Sequence, residues 1–188
     1  MKLVKQLFGA IVLTGMVTSA FSADGKPVGI SPDLMSIDVT HKGSIVQIMR
    51  NQDNANTVIQ AFAKTSRPCP PFCVQPMIIA PGVETLGELE LISYIQKMEA
   101  GDSSIFVADS RTPDWVAKGT IPGAVNVPWT LLAPAKGATT QSIMTVMIDT
   151  FGVKLAGDVD EIEIDEAIVN GTVSEVFDYS DAKTLVLF

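Results

Sequence analysis

The chain has 188 residues and a mass of 20.0 kDa, which suits one well-buried domain with an extension and leaves too little sequence for two large domains. With 47% hydrophobic residues, 18% charged residues and a mean hydropathy of +0.32, it reads as a globular rather than a disordered protein. A net charge of −8, without a basic patch carrying interleaved aromatics, argues against nucleic-acid binding, because such a field repels polyanions.

Residues 1–22 carry Lys2 and Lys5, then the apolar run LFGAIVLTGMV, then small residues up to the end of the segment. This is the pattern of a cleavable secretory signal peptide. The run falls short of the ~20 apolar residues that a membrane span needs, and no second run of that length follows. Cleavage after Ser22 removes two of 13 basic residues and no acid, leaving 11 against 21 and a net charge of −10. The mature protein is therefore expected to be periplasmic or secreted, with no membrane span.

Residues 23–81 are expected to form a small β-rich N-terminal region. Asp24 to Pro32 is rich in glycine and proline and reads as a flexible lead-in. MSIDVTHKGSIVQIMR holds two β-branched stretches around His41-Lys42-Gly43, a hairpin signal with glycine available for positive φ. His41, the only histidine, is expected as an exposed turn residue rather than a general base. NQDNANTVIQAFAK reads as either a short helix or a surface excursion. TSRPCPPFCVQPM is dense in proline, which lacks an amide donor, and is expected as a rigid loop.

Residues 82–188 alternate between helical and strand patterns. In VETLGELELISYIQKM, Leu86, Leu89, Ile92 and Ile95 or Met98 recur at helical spacing, with Glu84, Glu88 and Glu90 early and Lys97 late, so a helix is predicted over Thr85 to Met98. Ile105 to Ala108 reads as a buried strand. TPDWVAKG reads as a short helix with Thr112 as N-cap, Pro113 at its first position and Gly119 as terminator. AVNVPW makes another strand and TTQSIMTVMIDTFG another helix ending at Gly152. Between Gly157 and Asp178 the alternation of Ile162 and Ile164 with Glu161, Glu163 and Asp165 predicts a solvated edge or surface insertion. That stretch lacks the spacing of a calcium loop. Finally Leu185 to Phe188 form a continuous apolar run, as in a strand buried on both faces of a parallel sheet. The alternation predicts an α/β fold with parallel strands flanked by helices.

One stretch is more specific. VADSRTPDWVAKGTIPGAVNVPW, Val107 to Trp129, resembles the front half of a rhodanese, or sulfurtransferase, domain: a buried strand ending in Asp109-Ser110-Arg111, a proline-led short helix with Trp115, then Ile121-Pro122-Gly123-Ala124-Val125-Asn126-Val127-Pro128 entering the next strand. The resemblance covers 82–188 and departs from the family at Thr120, where many members have histidine. It implies a rhodanese-like parallel sheet, no cofactor and no metal, and transfer of sulfane sulfur between a small donor and a thiol acceptor. By residue type, Asp109 and Arg111 suit an ion pair that ties loops together. Pro122 and Gly123 suit a sharp turn into the next strand.

The family's nucleophile is a cysteine thiolate on a loop directly after a central strand. Here that strand is Thr184 to Phe188, and the cysteine would be the next residue. The domain is thus expected to be truncated just before its nucleophile, the catalytic set of this chain to be empty, and the chain to be inactive in sulfur transfer. Cys69 and Cys73 lie before the domain's first helix. In an exported protein their pairing as a structural disulfide leads, with a redox-active or sulfur-relaying pair, a metal site or free thiols left open. Two cysteines and one histidine make a poor zinc set. Trp115 and Trp129 are expected to pack or to lie at a sheet end. The competing reading is a non-catalytic envelope module that binds or does thiol redox chemistry through Cys69 and Cys73.

Overall fold

The computed structural model describes residues 27–53, 66–81 and 84–188. The leader expected over 1–22, and nearly all of the helix-or-excursion stretch over 51–64, lie outside the described residues. The fold is mixed α/β. Two strands, β1 (Ser36–His41) and β2 (Ser44–Met49), form an antiparallel hairpin. Helix α1 (Glu88–Glu99) and strand β3 (Ile105–Asp109) follow, then α2 (Pro113–Val116) and β4 (Val125–Asn126). The chain continues through α3 (Thr140–Met144), β5 (Lys154–Leu155), α4 (Glu161–Asn170), β6 (Phe177–Asp178) and β7 (Thr184–Leu187). Strands β4, β3 and β7 make a three-stranded parallel sheet in that order, while β5 and β6 pair antiparallel.

The hairpin forms where the sequence places it. Lys42 and Gly43 both adopt positive φ, 50° and 78°, the two-residue turn whose twist matches a hairpin. Ile37 and Val39 alternate inward and are buried. They share one core with Ile30, with Ile92 and Ile95 of α1, with Val107 of β3 and with Val186 of β7. The opposite face of the sheet, through Ala108, meets Val146, Phe151, Ile164, Ala167 and Phe177 in a second core. The parallel sheet is therefore covered on one side by α1 and the hairpin and on the other by α3 and α4, the layering that buries a parallel sheet on both faces.

Three expectations are corrected. The first helix starts at Glu88 rather than Thr85, because Gly87 is its N-cap and is pressed against the 74–76 segment: a Cβ there would stand 2.7 Å from the Val74 carbonyl oxygen and from Pro76 Cδ. The stretch over 157–178 is not an edge or insertion but carries α4. Asp160 accepts from the amides of Ile162 and Glu163, and the Glu163 carboxylate accepts from the Asp160 amide, a capping box. Ile164 and Ala167, three apart, are its buried face, whereas Ile162 is 70% exposed. The helix expected to end at Gly152 does so, as α3 continued by a π-helical turn over Thr145–Thr150. Finally, β3 rather than β7 is the central strand. Among the described residues β7 pairs with β3 alone, and it is not buried on both faces: Val186 is buried, whereas Leu187, on the opposite face, is 62% exposed.

Among the described residues no helix is long and apolar enough to cross a membrane.

Candidate functional site at the carboxyl end of the parallel sheet

In an open parallel sheet, ligands gather beyond the carboxyl ends of the strands, where the strand order reverses. Here β3 sits between β4, which follows it in sequence, and β7, which returns to its other side. The end of β3 is Asp109-Ser110-Arg111, so the motif named from sequence stands at that reversal.

Asp109 is fully buried and its carboxylate is heavily bonded. Arg111 donates to it from Nε at 2.9 Å, from Nη2 at 2.6 Å and from its amide at 3.1 Å. The Thr120 hydroxyl adds a bond of 2.6 Å. The forked hydrogen bonds from the Arg111 side chain hold the Asp109 carboxyl well below the usual carboxylate range. Burial works the other way, and Thr120 adds to the lowering. The pair is thus an ion pair with geometric specificity. Arg111 also reaches the Gly119 carbonyl at 2.8 Å, which ties the end of β3 to the end of the α2 turn. Thr120 therefore binds the motif's own aspartate at the position where the resemblance departs from the family.

Three further residues complete the end of the sheet, and no role was assigned to them from sequence. Asn126 donates from Nδ2 to the carbonyls of Asp109 and Arg111, both at 2.8 Å, which fixes the chain as it leaves the β3–β4 ladder. Ser110 donates its amide at 2.9 Å and its hydroxyl at 2.7 Å to the Phe188 carbonyl. The Phe188 ring centroid lies 5.7 Å from Arg111 Cζ, within reach of a cation–π contact. The signal for Ser110 and Asn126 was their place inside the quoted motif. Their partners lie up to 78 residues away and have no local signature.

Pro122 and Gly123 form the turn before β4. Gly123 has φ +87°, and a Cβ added there would stand 2.9 Å from Val39 Cγ1. Its amide donates to His41 Nδ1 at 3.2 Å. His41 is therefore not a free turn residue: it ends β1 and locks the hairpin onto this turn. Thr112 precedes α2 as expected, yet its hydroxyl donates to the Asp114 carboxylate instead of accepting a helix amide.

Cys69 and Cys73 stand at disulfide distance, Cα to Cα 5.2 Å, and are bonded to each other. Cys69 is buried and its amide donates to the Ile30 carbonyl at 2.8 Å. Cys73 accepts from Gln75 Nε2 at 2.8 Å. The loop then gives the Val74 carbonyl to the Glu88 amide at 2.9 Å, so it supports the start of α1. Val74, Leu86, Leu91 and Ile121 face β7 across a groove of about 650 Å³. The two cysteines are thus on the groove's side of the sheet and not in the Asp109–Arg111 network. Among the described residues no group of three or more His, Cys, Asp or Glu could hold a metal ion.

No family model matches the chain, and no curated protein or solved structure matches it.

Proposed function

We propose that this is a rhodanese-like exported protein whose parent chemistry is transfer of sulfane sulfur at the carboxyl end of β3 and β7. The observation that carries the reading is the double hydrogen bond from Ser110 to the Phe188 carbonyl, which ties the end of β7 to the Asp109-Ser110-Arg111 motif. A cysteine following Phe188 would emerge at the carboxyl ends of β3 and β7, next to the Asp109–Arg111 ion pair. Cys69 and Cys73 are bonded to each other, so in this reading neither of them is the nucleophile. A thiolate following Phe188 attacks the outer sulfur of a donor such as thiosulfate, the S–S bond breaks and sulfite leaves. A thiol or cyanide then takes the sulfur and restores the thiolate.

The test is to read the gene beyond the Phe188 codon and to assay its full product for thiosulfate:cyanide sulfurtransfer. A cysteine codon next in frame, with turnover abolished by its change to serine, supports the reading. A different residue there, or turnover that survives the serine variant, refutes it.

A second reading, a thiol-redox or binding module in the cell envelope, is favoured by the bonded Cys69–Cys73 pair, whose Cys73 is only partly covered. Thiol labelling separates the two roles. A pair that reacts only after strong reduction in denaturant is structural, whereas labelling in the folded protein under mild reductant identifies a redox element.

A further inference from the structure

The hairpin meets the parallel sheet at a small pocket of about 320 Å³, the low end of the size of a small-molecule site. His41 at the end of β1 and Lys42 in the turn line it from the hairpin, Val116 and Ala117 from α2 and its C-cap, and Thr120 and Asn126 from the segment that leads into and forms β4. The polar groups there each keep one capacity unused. The Gly123 amide occupies His41 Nδ1 at 3.2 Å, so the neutral ring carries its proton on Nε2, as a donor. Both Asn126 Nδ2 hydrogens go to the Asp109 and Arg111 carbonyls at 2.8 Å, which leaves Oδ1 as an acceptor. The Thr120 hydroxyl gives its proton to Asp109 at 2.6 Å and is likewise left with lone pairs only. The Lys42 ammonium makes no hydrogen bond or ion pair among the described residues.

Lys42 is the one charged side chain in the lining. Of the carboxylates around it, Asp109 behind Thr120 is neutralised by the fork from Arg111. Asp114 and Glu99 keep their charge but lie outside the lining, where Asp114 accepts from the Thr112 hydroxyl and Glu99 from the amide and hydroxyl of Thr40, both at 3.0 Å. Asp38 is three residues from His41 in β1 and so lies on the other face of the strand. One cation and one imidazole N–H match the two oxygens of a single carboxylate, while the leftover acceptors on Asn126 and Thr120 call for a hydroxyl donor. We propose that this pocket binds a small aliphatic hydroxycarboxylate: Lys42 and His41 Nε2 meet the carboxylate, Asn126 Oδ1 takes the hydroxyl, and Val116 and Ala117 cover the alkyl part. This goes beyond the sulfur-transfer reading and does not depend on it, since binding needs no nucleophile and His41 and Lys42 lie outside the 82–188 that carry the resemblance.

The chain has one histidine, so its ring Hε1 proton gives a single NMR resonance that reports this pocket. The test titrates the 188-residue protein with lactate, propionate and isopropylammonium at fixed pH and ionic strength. Lactate is expected to shift the resonance saturably at roughly millimolar concentration, in keeping with a ligand of about six non-hydrogen atoms. It should bind about threefold more tightly than propionate, the effect of one hydrogen bond. Isopropylammonium should leave the resonance unmoved. Lys42→Asn keeps a residue that tolerates the positive φ of the turn and should weaken lactate binding about fivefold. Ala117→Phe, at an exposed position, should fill the pocket and abolish binding while circular dichroism shows the fold intact. No saturable shift with lactate, an equal response to isopropylammonium, propionate binding as tightly as lactate, or an affinity that survives either substitution in a folded protein overturns the proposal.

Discussion

Replacing Val39 with alanine tests whether the N-terminal hairpin and the parallel sheet unfold as one body. Val39 is fully buried and its Cγ1 lies where a Gly123 side chain would begin, 2.9 Å away. Two buried carbons at roughly 0.8 kcal/mol each, with the cavity they leave, make the expected loss about 2–3 kcal/mol. Gly123→Ala alone should cost about 1–2 kcal/mol for a side chain at positive φ, plus about 1–3 kcal/mol for the clash with Val39. In the Val39→Ala background the clash disappears and only the backbone cost remains. The double variant should therefore be more stable than the sum of the singles predicts, by about 1–3 kcal/mol. Urea unfolding followed by tryptophan fluorescence is the appropriate assay, since both indoles lie beside the parallel sheet and neither lies in the hairpin. An unmoved fluorescence midpoint in Val39→Ala would show that the hairpin is not part of the sheet's core. Additivity within about 0.5 kcal/mol would show that Val39 and Gly123 do not share the space.

Two further outcomes follow from the same geometry. The Asp109 carboxyl is depressed in the folded protein, so it contributes stability at pH values above the ordinary carboxylate value near 3.8, and this is lost as pH falls through the folded value. Asp109→Asn should lower stability at pH 7 and flatten the acid limb of a stability-against-pH curve below about pH 4. An acid limb identical to that of the parent chain would contradict the assignment. Asp160→Ala removes the side-chain half of the α4 capping box and should cost about 1 kcal/mol in urea unfolding. A loss below the error of the measurement would mean that packing of Ile164 and Ala167 alone holds that helix.

Elements whose cause is local were legible in the chain. The hairpin follows from β-branched alternation around Lys42-Gly43, the strand Ile105–Asp109 from a continuous apolar run, and the loop over 66–77 from its prolines. The pairing of Asp109 with Arg111 was legible because the two stand two residues apart at a strand end. α4 lacks a strand's cause, although Ile162 and Ile164 alternate like one: Asp160 before the helix, Glu163 at its third position and Gly171 after it carry its cap signals. Packing between distant segments settled the rest. It made β3 the central strand, brought the Gly123 amide to His41 across 82 residues and the Ser110 hydroxyl to Phe188 across 78, and set both tryptophans at the same end of the sheet. The physical reason is that local pattern fixes which face of an element is apolar, whereas the partner that buries this face is chosen by packing between segments far apart in the chain.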